Sequence, residues 1–179
     1  MFLSLITKRR SIRKYTKKEV EGSKIDMVVE AALRAPSSRG IHPSEFIVVR
    51  DRDTLERLSR AKKHGSAFLK DAPLGIVVCA DPEKSDMWVE DSSIASTFIL
   101  LVAESLGLGS CWVQIRERMH DDAVSAEEYV ARVLDIQKGL RVESIVAMGY
   151  PDEEKAPRKT DELQYEKVYL NSYRHPYRG

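Results

Sequence analysis

The stretch from Asp91 to Leu106 constrains this chain most. It carries Ile94, Ala95, Phe98, Ile99, Leu100, Leu101, Val102, Ala103 and Leu106, so a helix there is apolar nearly all the way round. Such a helix must be buried on most of its faces, and one small domain has few places to do that. Its remaining residues, Ser92, Ser93, Ser96 and Thr97, are small. The spacing predicts a helix that starts between Asp86 and Asp91, ends at Leu106 and suits the seam of a dimer. Gly107 is placed to close it in left-handed geometry, and Gly109 leaves the backbone open to close approach by a ligand.

Around this helix the chain alternates irregularly between short helices and strands. Leu3, Leu5 and Ile6 make a short amphipathic turn. Ser23 with Asp26 reads as a capping-box variant, ahead of Ile25, Val28, Val29, Ala32 and Leu33 at helical spacing. That helix ends at Arg34 or Ala35, because Pro36 disfavours helical geometry in the residue before it. Further helices are predicted from Asp53 to Ala61, and over Tyr129, Val133 and Leu134 behind the cap pair Ser125 and Glu128; Ala67 to Lys70 adds a turn. Strands are predicted at Phe46–Arg50, Leu74–Ala80, Ser110–Ile115 and Val142–Tyr150. The run from Leu74 to Ala80 is apolar throughout, which marks a central strand covered on both faces. The fold class is therefore α+β, a mixed sheet with helices packed on it.

A chain of 179 residues with 42% hydrophobic content can bury one real core, so a single domain spanning 1–179 is expected. Within it, residues 152–179 are polar and tyrosine-rich, and either form a disordered tail or lie across another surface. A formal charge of +1 gives the whole molecule no field that would draw it onto nucleic acid. Cys79 and Cys111 lie in apolar runs, not in a Cys-x-x-Cys pair, which argues against a zinc knuckle or a disulfide framework. His42, His64, His120 and His175 show no metal-ligand spacing. The first residues are too few for a signal peptide, and no apolar run approaches the ~20 residues of a membrane span. The expectation is a soluble cytoplasmic protein without membrane or metal.

Between Arg9 and Tyr15 three guanidiniums and a hydroxyl fall close together, on Arg9, Arg10, Ser11 and Arg13. Planar guanidinium forks match phosphate oxygens bidentately, and Ser11 adds a short donor between them. Equally, basic runs of this kind occur on solvated helix ends. A nucleic-acid contact through Arg9 to Lys18 is a third reading, opposed by the near-neutral charge and by the lack of aromatics interleaved in a basic face.

Six separated features stand in register: Arg-Arg-Ser-Ile-Arg13, Ala-Pro-Ser-Ser38 before a buried strand, Trp88 with Asp91, Leu-Gly-Leu-Gly-Ser-Cys-Trp112, Met-Gly-Tyr-Pro151 and Pro-Arg-Lys159. In that order and spacing the chain resembles the nitroreductase family of flavin enzymes, from Arg9 to about Lys159. The resemblance implies a central, largely antiparallel sheet flanked by helices in an intertwined homodimer, with two FMN sites at the subunit interface and residues 152–179 packed on the partner. It implies that Arg9, Arg10, Ser11 and Arg13 form the first FMN-binding segment. Arg9, Ser11 and Arg158, with Lys159, would address the phosphate. Arg13 would lie nearer the ribityl chain and the ring, where a cation stabilises the negative charge of reduced flavin. Pro36, Ser37 and Ser38 correspond to a loop beside the cofactor. Trp112, Val113 and Gln114 match the strand whose backbone faces the flavin.

Where the family often has Asn, Gln and Trp in its second motif, this chain has Gly40, His42 and Ser44. The asparagine's ring contact is absent, His42 can replace the glutamine as a polar contact, and Ser44 widens the pocket. The implied reaction is hydride transfer from NADH or NADPH through flavin N5 to a small acceptor, such as a nitroaromatic or quinone, by a ping-pong mechanism. No side chain is needed as nucleophile, and Cys111 reads as small core filler. Trp88 reads equally as a site cover or as packing, and Asp91 as a residue that orients an arginine or as an acid favouring its helix dipole. A flavin-storage protein, or a specialised reaction such as reductive dehalogenation or flavin fragmentation, would use the same scaffold.

Overall fold

The computed structural model describes residues 2–178. Five helices are built: α1 (Phe2–Lys8), α2 (Gly22–Leu33), α3 (Arg52–Ser59), α4 (Trp88–Ser105) and α5 (Ala126–Leu134). Four strands, β1 (Ser44–Val49), β2 (Leu74–Ala80), β3 (Gly109–Gln114) and β4 (Arg141–Gly149), form one sheet in the order β1-β2-β4-β3. Every strand pair in it is antiparallel. The parallel component expected of a mixed sheet is reduced to an isolated bridge between Ser11 and Ser110, at the outer edge of β3.

Strand alternation divides the core in two. Val77 and Cys79 of β2, with Ile145 and Ala147 of β4, face Leu55 and Leu58 of α3 and Val130 of α5. Leu74, Ile76 and Val78, with Val146 and Met148, face Val28 of α2 and Ile99 and Ala103 of α4. The result is three layers, α2 and α4 on one side of the sheet and α3 and α5 on the other. β2 is buried along its whole length, as its unbroken apolar run requires. Between β2 and β4 the register slips, with Val78 opposite Ser144 but Cys79 opposite Val142. Glu143 occupies the resulting bulge and is buried.

α5 starts as the sequence indicates: Ser125 accepts from Glu128 N–H while the Glu128 carboxylate accepts from Ser125 N–H. α2 does not. Its cap is Glu21, with no side-chain cap bond, so Ser23 lies inside the helix and the Ser23/Asp26 capping reading is corrected. The Tyr150 hydroxyl donates to the Glu21 carboxylate at 2.7 Å and accepts from Lys24 Nζ at 2.9 Å, which pins the helix start to the end of β4. α3 begins one residue early, at Arg52, because the Asp51 carboxylate accepts from Thr54 N–H at 2.8 Å.

In α4 the small residues turn inward. Ser92, Ala95, Ser96, Ile99 and Ala103 are buried towards the sheet, where Ser92 meets Ser44 at 3.2 Å and Ser96 meets Ser144 at 3.0 Å. The opposite face presents Ile94, still 37% exposed, with Phe98 and Leu101 only half-buried. Gly107 follows the helix at φ +73°, in left-handed geometry. Past Pro151 the chain is extended and polar, with 3-10 turns at Thr160–Glu162 and Tyr165–Lys167, and it leaves Leu163, Val168, Leu170, Tyr173 and Tyr177 exposed. No helix among the described residues is long and apolar enough to cross a membrane.

Candidate functional site

The arginine segment is held in place by its neighbours. Ile12 N–H donates to Ser110 O at 3.0 Å, so the segment runs along the free edge of β3. Gly109 permits this. A Cβ there would meet Ile12 Cγ2 at 2.7 Å and Ile12 Cβ at 2.8 Å. What approaches Gly109 is thus the chain's own arginine segment and not a ligand, which corrects the expectation from sequence.

Two antiparallel contacts pin the segment's far end, with Thr16 N–H donating to Tyr150 O at 2.8 Å and Asp152 N–H to Lys14 O at 2.9 Å. The Glu153 carboxylate accepts from the N–H groups of Arg13 and Lys14, and it pairs with Lys155 at 3.1 Å. Those donors, the Arg13 N–H foremost, hold its pKa below the usual carboxylate range. Lys155 Nζ donates to Ser11 O at 2.8 Å, and an Arg10 guanidinium N–H donates to Ala156 O. The start of the tail and the arginine segment therefore form one unit.

That unit encloses a cleft of about 630 Å3 whose walls include Arg9, Arg10, Ser11, Arg13, Lys155 and Arg158. Four guanidiniums, the Glu153-paired Lys155 and a hydroxyl stand around one hollow, and guanidinium forks have the geometry to take a phosphate. Four residues of the N-terminal motif and Arg158, far apart in sequence, are brought together. Lys159 is exposed and outside this lining, and its N–H donates to Glu162 Oε2. Lys155 was missed. It stands in a plain run of charges, Glu153-Glu154-Lys155, and only the docking of the tail gives it a role.

The second motif lies in a separate, tighter cleft of about 30 Å3, lined in part by Pro36, Ser37, His42, Ser44, Phe46 and Asp91. Ser38 N–H donates to Asp91 Oδ1 at 2.8 Å, and Asp91 is 4% exposed. Asp91 thus anchors the loop from the first turn of α4, where its charge also suits the helix dipole, and its recorded partner is the Ser38 backbone, not an arginine. His42 N–H donates to Ser37 Oγ at 2.9 Å. Arg39, Gly40 and His42 all take positive φ, at +55°, +68° and +50°, and only glycine does so without strain. Gly40 and Ser38 lie outside the lining of this cleft. No residue lines both clefts.

On β3, Val113 is buried among the α3 and α5 residues, while Trp112 and Gln114 lie on the other face, half-buried. Trp112 Nε1–H donates to Gln114 Oε1 at 2.9 Å, and Gln114 Nε2–H donates to Glu143 Oε1 at 3.2 Å. Glu143 is 3% exposed and its other oxygen is unpartnered, so burial pushes its carboxyl above the usual range. Trp88 is buried, with the Arg116 and Arg141 guanidiniums 5.7 and 5.6 Å from its ring centroid, contacts that fit packing. Cys111 is buried, and burial raises its thiol pKa, away from the reactive thiolate. No group of three or more metal-ligating side chains occurs among the described residues.

Known proteins with this architecture are close. A solved FMN-dependent nitroreductase from Clostridium difficile R20291 superposes at a TM-score of 0.94, with 49% identity over 96% of this chain and 99% of that one. A relative from Archaeoglobus fulgidus, provisionally named an NADH dehydrogenase/NAD(P)H nitroreductase, is 41% identical over 86% of this chain and 87% of its own length. Another under the same provisional name, from Methanothermobacter thermautotrophicus, is 38% identical over 96% of this chain and 87% of its own. The sequence model of the nitroreductase family matches residues 6–65 and 57–150, the span that holds both clefts' motif residues up to β4. With the sheet, the arginine edge segment and the sequence match in agreement, this chain belongs to the nitroreductase family.

Proposed function

We propose that the protein is an FMN-dependent NAD(P)H oxidoreductase that reduces a small electrophile, such as a nitroaromatic or quinone, by a ping-pong mechanism. The observation that carries this reading is the gathering of Arg9, Arg10, Ser11, Arg13, Lys155 and Arg158 around one cleft, in a chain that is 49% identical to an FMN-dependent nitroreductase. The donor set fits a phosphomonoester. Arg9, Ser11, Lys155 and Arg158 would hold the FMN phosphate, and Arg13 would place a cation towards the ring. When bound, FMN supplies a hydride acceptor and donor at its N5. The protein's part is to bind, orient and exclude water. Pro36, Ser37, Ser38, Gly40 and His42 would come beside the ring from a second copy of the chain, and the backbone of Trp112, Val113 and Gln114 from the first.

A homodimer is part of the same proposal. Residues 1–179 act as one domain; the tail from Asp152 to Arg158 docks on its own arginine segment, which corrects the expectation that all of 152–179 packs on the partner, and only the stretch beyond Arg158 would lie across it. The uncovered face of α4 at Ile94, Phe98 and Leu101, and the exposed Leu163, Val168 and Leu170 of the tail, are the surfaces a second copy would cover. Since the two motif clefts are separate within one chain, the partner also completes the site. A cytoplasmic location accompanies this reading.

The test is the purified protein itself. It should be yellow and release FMN, NADH or NADPH should bleach it under nitrogen, and steady-state plots with a quinone should be parallel. Arg158→Ala should weaken FMN retention by roughly 1.5 to 3 kcal/mol for the lost charge-assisted contact. A flavin that neither nucleotide reduces would instead favour storage. A flavin-loaded monomer in light scattering at micromolar concentration would refute the interface.

A further inference from the structure

A second basic hollow adjoins the first. It has a volume of about 400 Å3 and shares Arg13 as a wall, with Lys14, Lys17, Arg52 and Lys70 as its other cations and Asp71 and Asp152 as its carboxylates. This size is in the range of small-ligand sites, roughly 300 to 1,000 Å3. Nearby cations are neutralised, Lys18 by Glu21 at 3.2 Å and Arg50 by Glu19 at 3.6 Å. By contrast, Arg13, Lys14, Lys17, Arg52 and Lys70 form no ion pair among the described residues. Five cations facing two carboxylates leave a local excess of positive charge on a protein whose net charge is only +1.

The backbone that carries them is fixed. Tyr15 bridges to Pro151, and hydrogen bonds from Thr16 N–H and Asp152 N–H clamp the chain on either side of it. Arg52 opens α3, whose Leu55 and Leu58 are fully buried, and Lys70 sits in the 3-10 turn Ala67–Asp71 on Leu69, which is fully buried as well. Like charges on three rigid segments repel one another at a cost that a bound anion would remove.

We propose that this hollow binds the anionic half of the nicotinamide donor and reads its 2′-phosphate, so that the enzyme uses NADPH in preference to NADH. The proposal rests on the donor reading above. NADPH differs from NADH by one phosphomonoester, a group carrying about −1.5 to −2 charge near neutral pH. The chain has no Gly-x-Gly-x-x-Gly segment to place a dinucleotide on a helix start, so side-chain cations must supply the grip. Arg13 as a common wall puts that grip next to the proposed FMN cleft, where the nicotinamide end must reach.

The experiment uses the FMN-loaded protein and two readouts. Calorimetry with adenosine 2′,5′-bisphosphate, a redox-inert probe, should show binding that is tighter than that of adenosine 5′-monophosphate and weakens with added salt. In the Lys17→Ala/Lys70→Ala variant, probe affinity and the KM for NADPH should each worsen by on the order of tenfold or more. FMN content and kcat should stay near wild type, and Lys17→Arg/Lys70→Arg should restore the KM. A probe that does not bind wild type, or that binds the alanine variant equally well, overturns the proposal, as does a wild-type preference for NADH. Probe binding at these lysines in a protein that neither nucleotide reduces would sink the oxidoreductase reading while leaving the anion site in place.

Discussion

Gly109→Ala tests whether the β3 edge positions the arginine segment. The new Cβ would stand 2.7, 2.8 and 3.0 Å from Cγ2, Cβ and Cγ1 of Ile12. Ile12 Cβ is fixed by its backbone, so no rotamer change relieves the 2.8 Å contact. Ordinary carbon contacts lie at about 3.5 to 4.0 Å, so the two backbones must part by about 0.8 Å or more. The Ile12 N–H to Ser110 O bond, now 3.0 Å, is stretched out of range, and Ser11 and Arg13 on either side move with it. Overpacking of this kind costs roughly 1 to 3 kcal/mol. For a chain of this size that is a fall in Tm of roughly 2 to 12 °C, read by differential scanning calorimetry. FMN affinity, read by fluorescence quenching, should fall with it, because the displaced residues line the phosphate cleft. Adding Ile12→Gly removes the clashing atoms, so the double variant should be less destabilised than the two single effects summed. An unchanged Tm and FMN affinity in Gly109→Ala would refute this account of the edge.

Asp91→Ala leaves the Ser38 N–H without its acceptor and should cost roughly 1 to 3 kcal/mol, with faster tryptic cleavage after Arg39; Asp91→Asn, which keeps an acceptor, should lose less. Glu143 gives a pH signature. Burial raises its native pKa above the unfolded value, so the native chain binds that proton more tightly, and stability declines as pH climbs through the raised value. Stability measured from mid-acid to neutral pH should therefore shift progressively in favour of Glu143→Gln, and a pH-independent difference between variant and wild type would contradict this. Cys111→Ser should keep its turnover with NADPH and a quinone, since the buried thiol is pushed away from the reactive thiolate; loss of kcat with FMN still bound would contradict that.

Much of the architecture was legible in the linear chain because it depends on local periodicity. The unbroken apolar run of β2, the Ser125 and Glu128 capping box and the Gly107 helix stop each follow from residues within one or two turns of each other, and the structure repeats them. The arginine cluster was visible too, because three guanidiniums so close together need no tertiary context to be noticed. What sequence could not show is which distant groups meet. α2 starts at Gly22 because Tyr150, from the end of β4, takes up Glu21 and Lys24. Gly109 is small to admit Ile12, and Asp91 is acidic to hold the backbone of Ser38. Lys155 enters the arginine-lined cleft only through its bond to Ser11 O and its pairing with Glu153. Hydrophobic spacing and capping act over a few residues, so the existence and type of the elements, though not all of their ends, could be read from the linear chain. The strand order β1-β2-β4-β3 and the meeting of Lys155 and Arg158 with the N-terminal arginines were not legible there, since close packing and long-range hydrogen bonds exist only once the three layers come together.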